Sequence, residues 1–262
     1  MSKAIDKRRD WSLVERLSGE IRRARAEAGL SLAEIGQATL DATDGTYGKW
    51  LRQRPIAVQV GRTVFMHAGA PPDTTESLDA LNTRAREEIA RMDRFVARLT
   101  AAGLAAPWFR LEDLLAVAAA EVRWVNGLAE RAKEQGEAPD LSGVDLALVK
   151  EAAAITGLGE WSLLDGDGPL WYRGYALADD ATLDAPLTGL LARWQADRLV
   201  VGHTVNRDFK VRMRLGGRLF LIDTGMLTPV YKGTGAALAF EGAGVSVVYG
   251  DGRRDVFTAA PR

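Results

Sequence analysis

The chain has 262 residues, enough for one large domain or two small ones with a sizeable core. Its 34 Lys and Arg against 35 Asp and Glu leave a net charge of −1, so no global field draws it to nucleic acid or an anionic membrane, and only local basic patches remain open. It has no cysteine, which excludes disulfides, thiolate metal sites and cysteine nucleophiles.

In chain order, MSKAIDKRRDWSLVERL carries charge but no apolar core of a signal peptide, and no stretch approaches the ~18 consecutive apolar residues of a membrane span, so a cytoplasmic protein is expected. Residues 11–40 read as helical, with Leu13, Leu17, Ile21 and Ala24 at spacings of three and four. Gly29 ends that helix and Ser31 caps a short second one. Residues 41–48, rich in Gly, Asp and Thr, read as a loop. IAVQV-GR-TVFMH, residues 56–67, reads as a hairpin turning at Gly61-Arg62.

Residues 73–160 turn helical. One apolar stripe runs from Leu78 through Ala85 and Met92 to Leu99, another from Leu111 through Ala118 to Val125, and a third helix follows the linker GEAPD near 144–155. The chain then becomes α/β. A helix over 183–196 feeds the short strand RLVVGHT, and KVRMRL-GG-RLFLIDTG, AALAFEG and VSVVYGDG follow as an antiparallel meander. The organisation expected is a helical segment over 1–45 and a domain over 46–262 with a helical insertion at about 73–160.

Only two histidines occur, and each follows a β-branched run beside glycine: His67 after Thr-Val-Phe-Met, His203 after Leu-Val-Val-Gly. Ligands of α/β proteins bind at such strand ends, and neutral imidazole is a common ligand for divalent transition metals. Each histidine alone reads equally as a hydrogen-bonded structural residue; as a matched pair they point to a shared metal site. Arg173, among aromatics in GPLWYRG, offers a planar fork for phosphate oxygens or a cation–π surface pair. Asp223, ending LFLID, reads as a partner for a ligating histidine or as a turn residue.

In order, Tyr47-Gly48-Lys49-Trp50-Leu51, Val64-Phe65-Met66-His67-Ala68-Gly69, residues 168–174, Val201-Gly202-His203-Thr204 and residues 221–226 resemble the calcineurin-like metallophosphoesterases. Within that superfamily they are most similar to the bacterial branch related to phosphoprotein phosphatases of the Shewanella-like type. The resemblance covers about residues 46–262. It implies an α/β, α+β-like fold, a β-sandwich flanked by helices with two divalent metal ions (Mn, Fe or Zn) between strand ends. It further implies that His67 and His203 are metal ligands and that Arg173 contacts the substrate phosphate. The implied reaction is hydrolysis of a phosphate monoester, on a phosphoprotein or a small molecule, by a metal-bound hydroxide.

The family's Asp-x-His, Gly-Asp-x-x-Asp and Asn-His-Glu motifs have no counterpart here, for no aspartate lies two residues before either histidine and no Asn-His occurs. Two imidazoles make a poor metal site without the carboxylates those motifs carry. The expectation is an incomplete centre and an N-terminal half missing from the fold, with exposed strand edges. A misplaced start, a split or decayed gene, or a complementing polypeptide would each explain it, and the chain alone is expected to have little or no phosphatase activity. Two rival readings stand beside this one. EIRRARAEAGLSLAEIGQAT resembles the start of a repressor-type helix-turn-helix, with Arg22, Arg23 and Arg25 suited to phosphate contacts, but Gly45 and Gly48 fall where its recognition helix should run. The other is a non-catalytic interaction protein built on a phosphatase remnant.

Overall fold

The computed structural model describes residues 45–106, 109–157, 161–241 and 244–258. The helices expected over 11–40, and with them most of the helix-turn-helix segment, lie outside the described residues.

The first described element corrects the end of the loop expected over 41–48, whose residues 41–44 lie outside the described residues. Helix α1, Thr46–Arg52, starts from Gly45 and carries Gly48 inside it. A glycine in a helix interior costs roughly 1 kcal/mol against alanine. Here a tertiary bond offsets it: the Arg52 guanidinium meets Asp93 through two bonds of 2.7 and 2.8 Å. That pairing also takes up one of the basic side chains that a DNA-reading helix would offer to phosphates.

The hairpin forms as its sequence predicts. Strands β1, Ala57–Val60, and β2, Thr63–Met66, pair antiparallel with Val60 opposite Thr63, so Gly61-Arg62 is a two-residue turn. Gly61 sits at φ +58°, where a side chain would be strained. The helical insertion follows as α2, Leu78–Ala101, α3, Leu111–Gln135, and α4, Leu146–Thr156. Ser77 caps α2 by accepting from the Ala80 N–H, and Asp145 caps α4 by accepting from Ala147 and Leu148. Gly136, the first residue of GEAPD, ends α3 in the left-handed conformation. The predicted stripes meet around Phe95, Leu99, Ala118, Leu148, Ile155 and Trp161.

The remaining elements build two sheets. Helix α5, Gly174–Leu177, and helix α6, Asp180–Arg193, precede β3, Arg198–Val201. Then come β4, Arg212–Arg214, and β5, Leu219–Leu221. The short helix α7, Thr228–Tyr231, leads to β6, Ala236–Glu241, β7, Gly244–Tyr249, and β8, Arg254–Thr258. The first sheet has the order β1-β2-β3-β5-β4, with β2, β3 and β5 parallel to one another. The second is the antiparallel ladder β6-β7-β8. The single C-terminal meander read from the sequence is thereby corrected: β4 and β5 belong to the first sheet, and β8 is an additional strand.

Strand alternation explains how the layers stack. Leu199 and Val201 of β3 and Leu219 and Leu221 of β5 face one way and pack with Leu183, Leu187 and Leu190 of α6. Val200 and Phe220 face the other way and pack with Val245, Phe240 and Phe257 of the second sheet. The Phe220 ring stands edge-on to Phe240 at 5.7 Å between centroids. The result is the expected mixed α/β architecture, a β-sandwich flanked by helices. Strand β1 forms one edge of the first sheet and exposes Val58 and Val60. Among the described residues no helix is long and apolar enough to cross a membrane.

Candidate functional site

Three loops meet at the C-terminal ends of β2 and β3. Backbone bonds fix them to one another. The Gly202 N–H donates to the His67 carbonyl at 2.7 Å, and the Ala68 N–H donates to the Pro169 carbonyl at 3.2 Å. Asn206, itself buried, donates to the Lys210 and Leu221 carbonyls, while its backbone N–H donates to the carbonyl of Asp223. The segments that carry the two histidines, Arg173 and Asp223 are therefore one connected structure.

The histidine pair predicted from sequence is brought together. His67 Nε2 and His203 Nδ1 lie 3.1 Å apart. His203 occupies φ +64°, inside a three-residue turn closed by the Thr204 N–H on the Gly202 carbonyl. A non-glycine residue held there costs on the order of 1–3 kcal/mol, a strain that clusters at functional sites. Its other ring nitrogen, Nε2, is buried without a hydrogen-bond partner among the described residues. Leaving such a group unpaired costs roughly 1–3 kcal/mol. Desolvation pushes the His203 pKa below its ordinary value, electrostatic repulsion from the Arg173 side and the neighbouring imidazole pushes the same way, and Asp223 opposes them. The ring is thus neutral at pH 7, as a ligand imidazole must be.

Arg173 lies beside the pair and donates to the Thr204 hydroxyl at 3.2 Å. Among the described residues no cation–π pair of Arg173 is found, and the aromatic ring next to the site, Trp171, stands perpendicular to His203 at 5.4 Å between centroids. Trp171 and Thr204 are the site neighbours that single-residue reasoning passed over, although both lie inside the motifs that drew attention to the site. Asp223 accepts the Gly225 N–H through Oδ1 at 2.9 Å, a turn-forming bond, and its charge reaches His203 without a hydrogen bond to the ring.

Gly69 has a different reason for being small than an open approach to an ion. At φ +111° its position allows no ordinary side chain, and a Cβ there would stand 2.6 Å from the Tyr175 ring. That ring is buried, and its hydroxyl donates to the Ala70 carbonyl at 2.6 Å. Burial pushes the Tyr175 pKa far up, so the phenol stays a donor.

The donor set tests the expected metal centre. Two nitrogens about 3 Å apart suit two adjacent corners of one coordination sphere with metal–nitrogen bonds of about 2.0–2.1 Å. A stable site needs three or four protein ligands. Among the described residues, no group of three or more His, Asp or Glu side chains is arranged to hold a metal ion. The described residues alone do not fit the two-metal centre.

No protein-family model matches the chain, and no curated protein does. Among solved structures it is similar to a cold-active protein tyrosine phosphatase, at 20% identity and a TM-score of 0.46, over 81% of this chain and 45% of the phosphatase. A second structure, of the cold-active protein-tyrosine phosphatase of a psychrophilic Shewanella species, gives 20% and 0.46 over 82% of this chain and 46% of that one. A mutant of a cold-active protein tyrosine phosphatase gives 21% and 0.45. The chain spans less than half the length of these structures.

Proposed function

We propose that this chain carries the imidazole-and-guanidinium face of a phosphomonoesterase site. The observation that supports the reading is the convergence of His67 and His203 at 3.1 Å beside Arg173. A phosphoryl group has oxygens for each partner on that face. The guanidinium of Arg173 offers paired donors, and the Thr204 hydroxyl holds it toward the histidines. The His203 ring offers a further bonding position, since its Nε2 lacks a partner. The substrate class is a phosphate monoester, on a protein or a small molecule.

Hydrolysis needs more than binding. In-line attack on phosphorus requires an activated water and charge compensation at the transition state. The carboxylates that would join the imidazoles around a divalent ion (Mn, Fe or Zn) have no counterpart among the described residues. In this reading they come from outside them, for example from a complementing polypeptide. The described part alone binds phosphate and turns it over poorly.

Two measurements test this. Titrating the protein with inorganic phosphate and with phenyl phosphate, the ring nitrogen shifts of His67 and His203 should move together. Arg173→Ala should weaken binding about tenfold, the loss of one charge-assisted contact. Unmoved ring signals at millimolar phosphate would reject the reading. Assayed on p-nitrophenyl phosphate with Mn²⁺, the 262-residue chain should show little or no turnover. Robust turnover abolished by His203→Ala would show instead that the centre is complete.

A further inference from the structure

The helical insertion reaches the loop behind the site through the largely covered carboxylate of Glu88. Glu88, on α2, has only 11% of its side chain exposed. Its Oε1 accepts from the Ser162 N–H at 3.0 Å and from the Ser162 hydroxyl at 2.7 Å, and its Oε2 accepts from the Leu163 N–H at 2.9 Å. Arg84, one turn away, stands 3.8 Å from the same carboxylate. Three donors from one loop on one carboxylate is a clamp: a carboxylate has about four acceptor positions, and three are filled by two consecutive residues.

What the clamp holds is the platform of the site. The Leu163 carbonyl accepts from the Trp171 indole N–H at 2.9 Å. The Ser162 carbonyl lies where a side chain on Gly168 would have to go, 1.7 Å from the position a Cβ would take, so the two backbones are in direct contact. From Gly168 the chain turns, with the Trp171 and Tyr172 N–H groups both donating to its carbonyl. Trp171 then presents its edge to His203, and Arg173 follows two residues later against Thr204. The path from Glu88 to His203 is continuous and runs through hydrogen bonds and one ring contact.

The geometry points to Glu88 as a positioning residue: from the helical insertion it sets the placement of Trp171 and Arg173 against His203. This rests on the reading of that face as a phosphate site only for its functional consequence; the coupling itself is a structural statement. Removing the carboxylate leaves the Ser162 and Leu163 donors unpaired, and the platform can shift without unfolding the sheet.

The test uses the full chain and three variants, Glu88→Ala, Glu88→Gln and Arg98→Ala, followed by nuclear magnetic resonance. The readouts are the Trp171 indole N–H signal and the His203 ring protons, which feel the Trp171 ring current. Glu88→Ala should move both signals and weaken inorganic phosphate binding about tenfold. Glu88→Gln keeps one carbonyl oxygen for Ser162 and should restore the signals in part. Arg98→Ala breaks another pair of α2, with Asp145 at the cap of α4, and serves as the control for general loosening of the helices. It should leave Trp171 and His203 where they are. If Glu88→Ala changes the unfolding midpoint alone and both signals stay in place, or if Arg98→Ala moves them equally, the inference is wrong. Should the parent chain bind no phosphate while the two signals still follow Glu88, the functional reading fails and the coupling stands.

Discussion

The two ends of the parallel strands β2, β3 and β5 differ in a way that separates space from chemistry. At their N-terminal ends a cavity of about 550 Å³ opens between α6 and the strand starts. Two of its three arginines have charged partners, for Arg62 pairs with Asp197 at 2.7 Å and Arg218 pairs with Asp184 at 2.5 Å and donates to the Leu215 carbonyl, while Arg198 lies over the Phe240 ring. At the C-terminal ends sit a histidine at positive φ, a buried ring nitrogen without a partner and two imidazole nitrogens facing each other. Unmet bonding capacity, not cavity size, marks the end where a ligand has something to gain.

The strongest way to disturb this contrast is to attack what both ends share. Phe220→Ala removes the ring that packs between the sheets, and a buried Phe→Ala change typically costs about 3–5 kcal/mol. Denaturant unfolding should show that loss, and both ends should lose order together. Gly69→Ala should act on one end alone. Its Cβ would meet the Tyr175 ring, and its φ of +111° is strained for alanine. A loss of roughly 1–3 kcal/mol is expected. The His67 ring signals should shift while those of Arg62 and Arg218 keep their positions. Parental stability in the Gly69→Ala variant would mean that Tyr175 can move aside.

Much of this architecture is legible in the sequence where local patterns decide it. The hairpin at Gly61-Arg62, the two apolar stripes of the insertion and the histidines at strand ends all depend on spacings within a dozen residues. What the sequence hides is long-range. Strand β5 looks like the partner of β4 in a hairpin, and it is, but its parallel pairing with β3 joins residues 20 positions apart (Leu199 with Leu219) and has no local signature. Strand β8 is short and charged at its start, so its alternation is brief. Helix α1 forms against its glycines because Asp93 binds Arg52. Glu88 reads as one more solvated acid on a helix, since the donors that bury it lie 74 and 75 positions away.

A pH titration sharpens the contrast further. The His203 pKa lies below its ordinary 6.5 in the folded state. Above about pH 7 the ring is neutral in both states and adds no pH dependence. As the pH falls below the ordinary value, the unfolded chain takes up a proton that the folded chain refuses, so stability falls until the pH passes the folded pKa. His203→Asn tolerates the left-handed backbone and does not titrate. The difference in unfolding midpoint between parent and variant should therefore open only on the acid side. A difference constant with pH would mean that the ring titrates normally.

The smallest effect is expected at the other end. Arg62 is exposed and reaches the less exposed Asp197 from the solvent side, where side-chain ordering and salt screening cancel much of the attraction. Asp197 does not depend on it for position, because its backbone N–H donates to the Arg62 carbonyl at 2.7 Å, a bond that alanine at position 62 retains. Arg62→Ala should leave the unfolding midpoint and the His203 signals unchanged, at low and at high salt alike. If phosphate binding weakened in this variant, the cavity at the strand starts would be taking the anion, and the assignment of the two ends would have to be reversed.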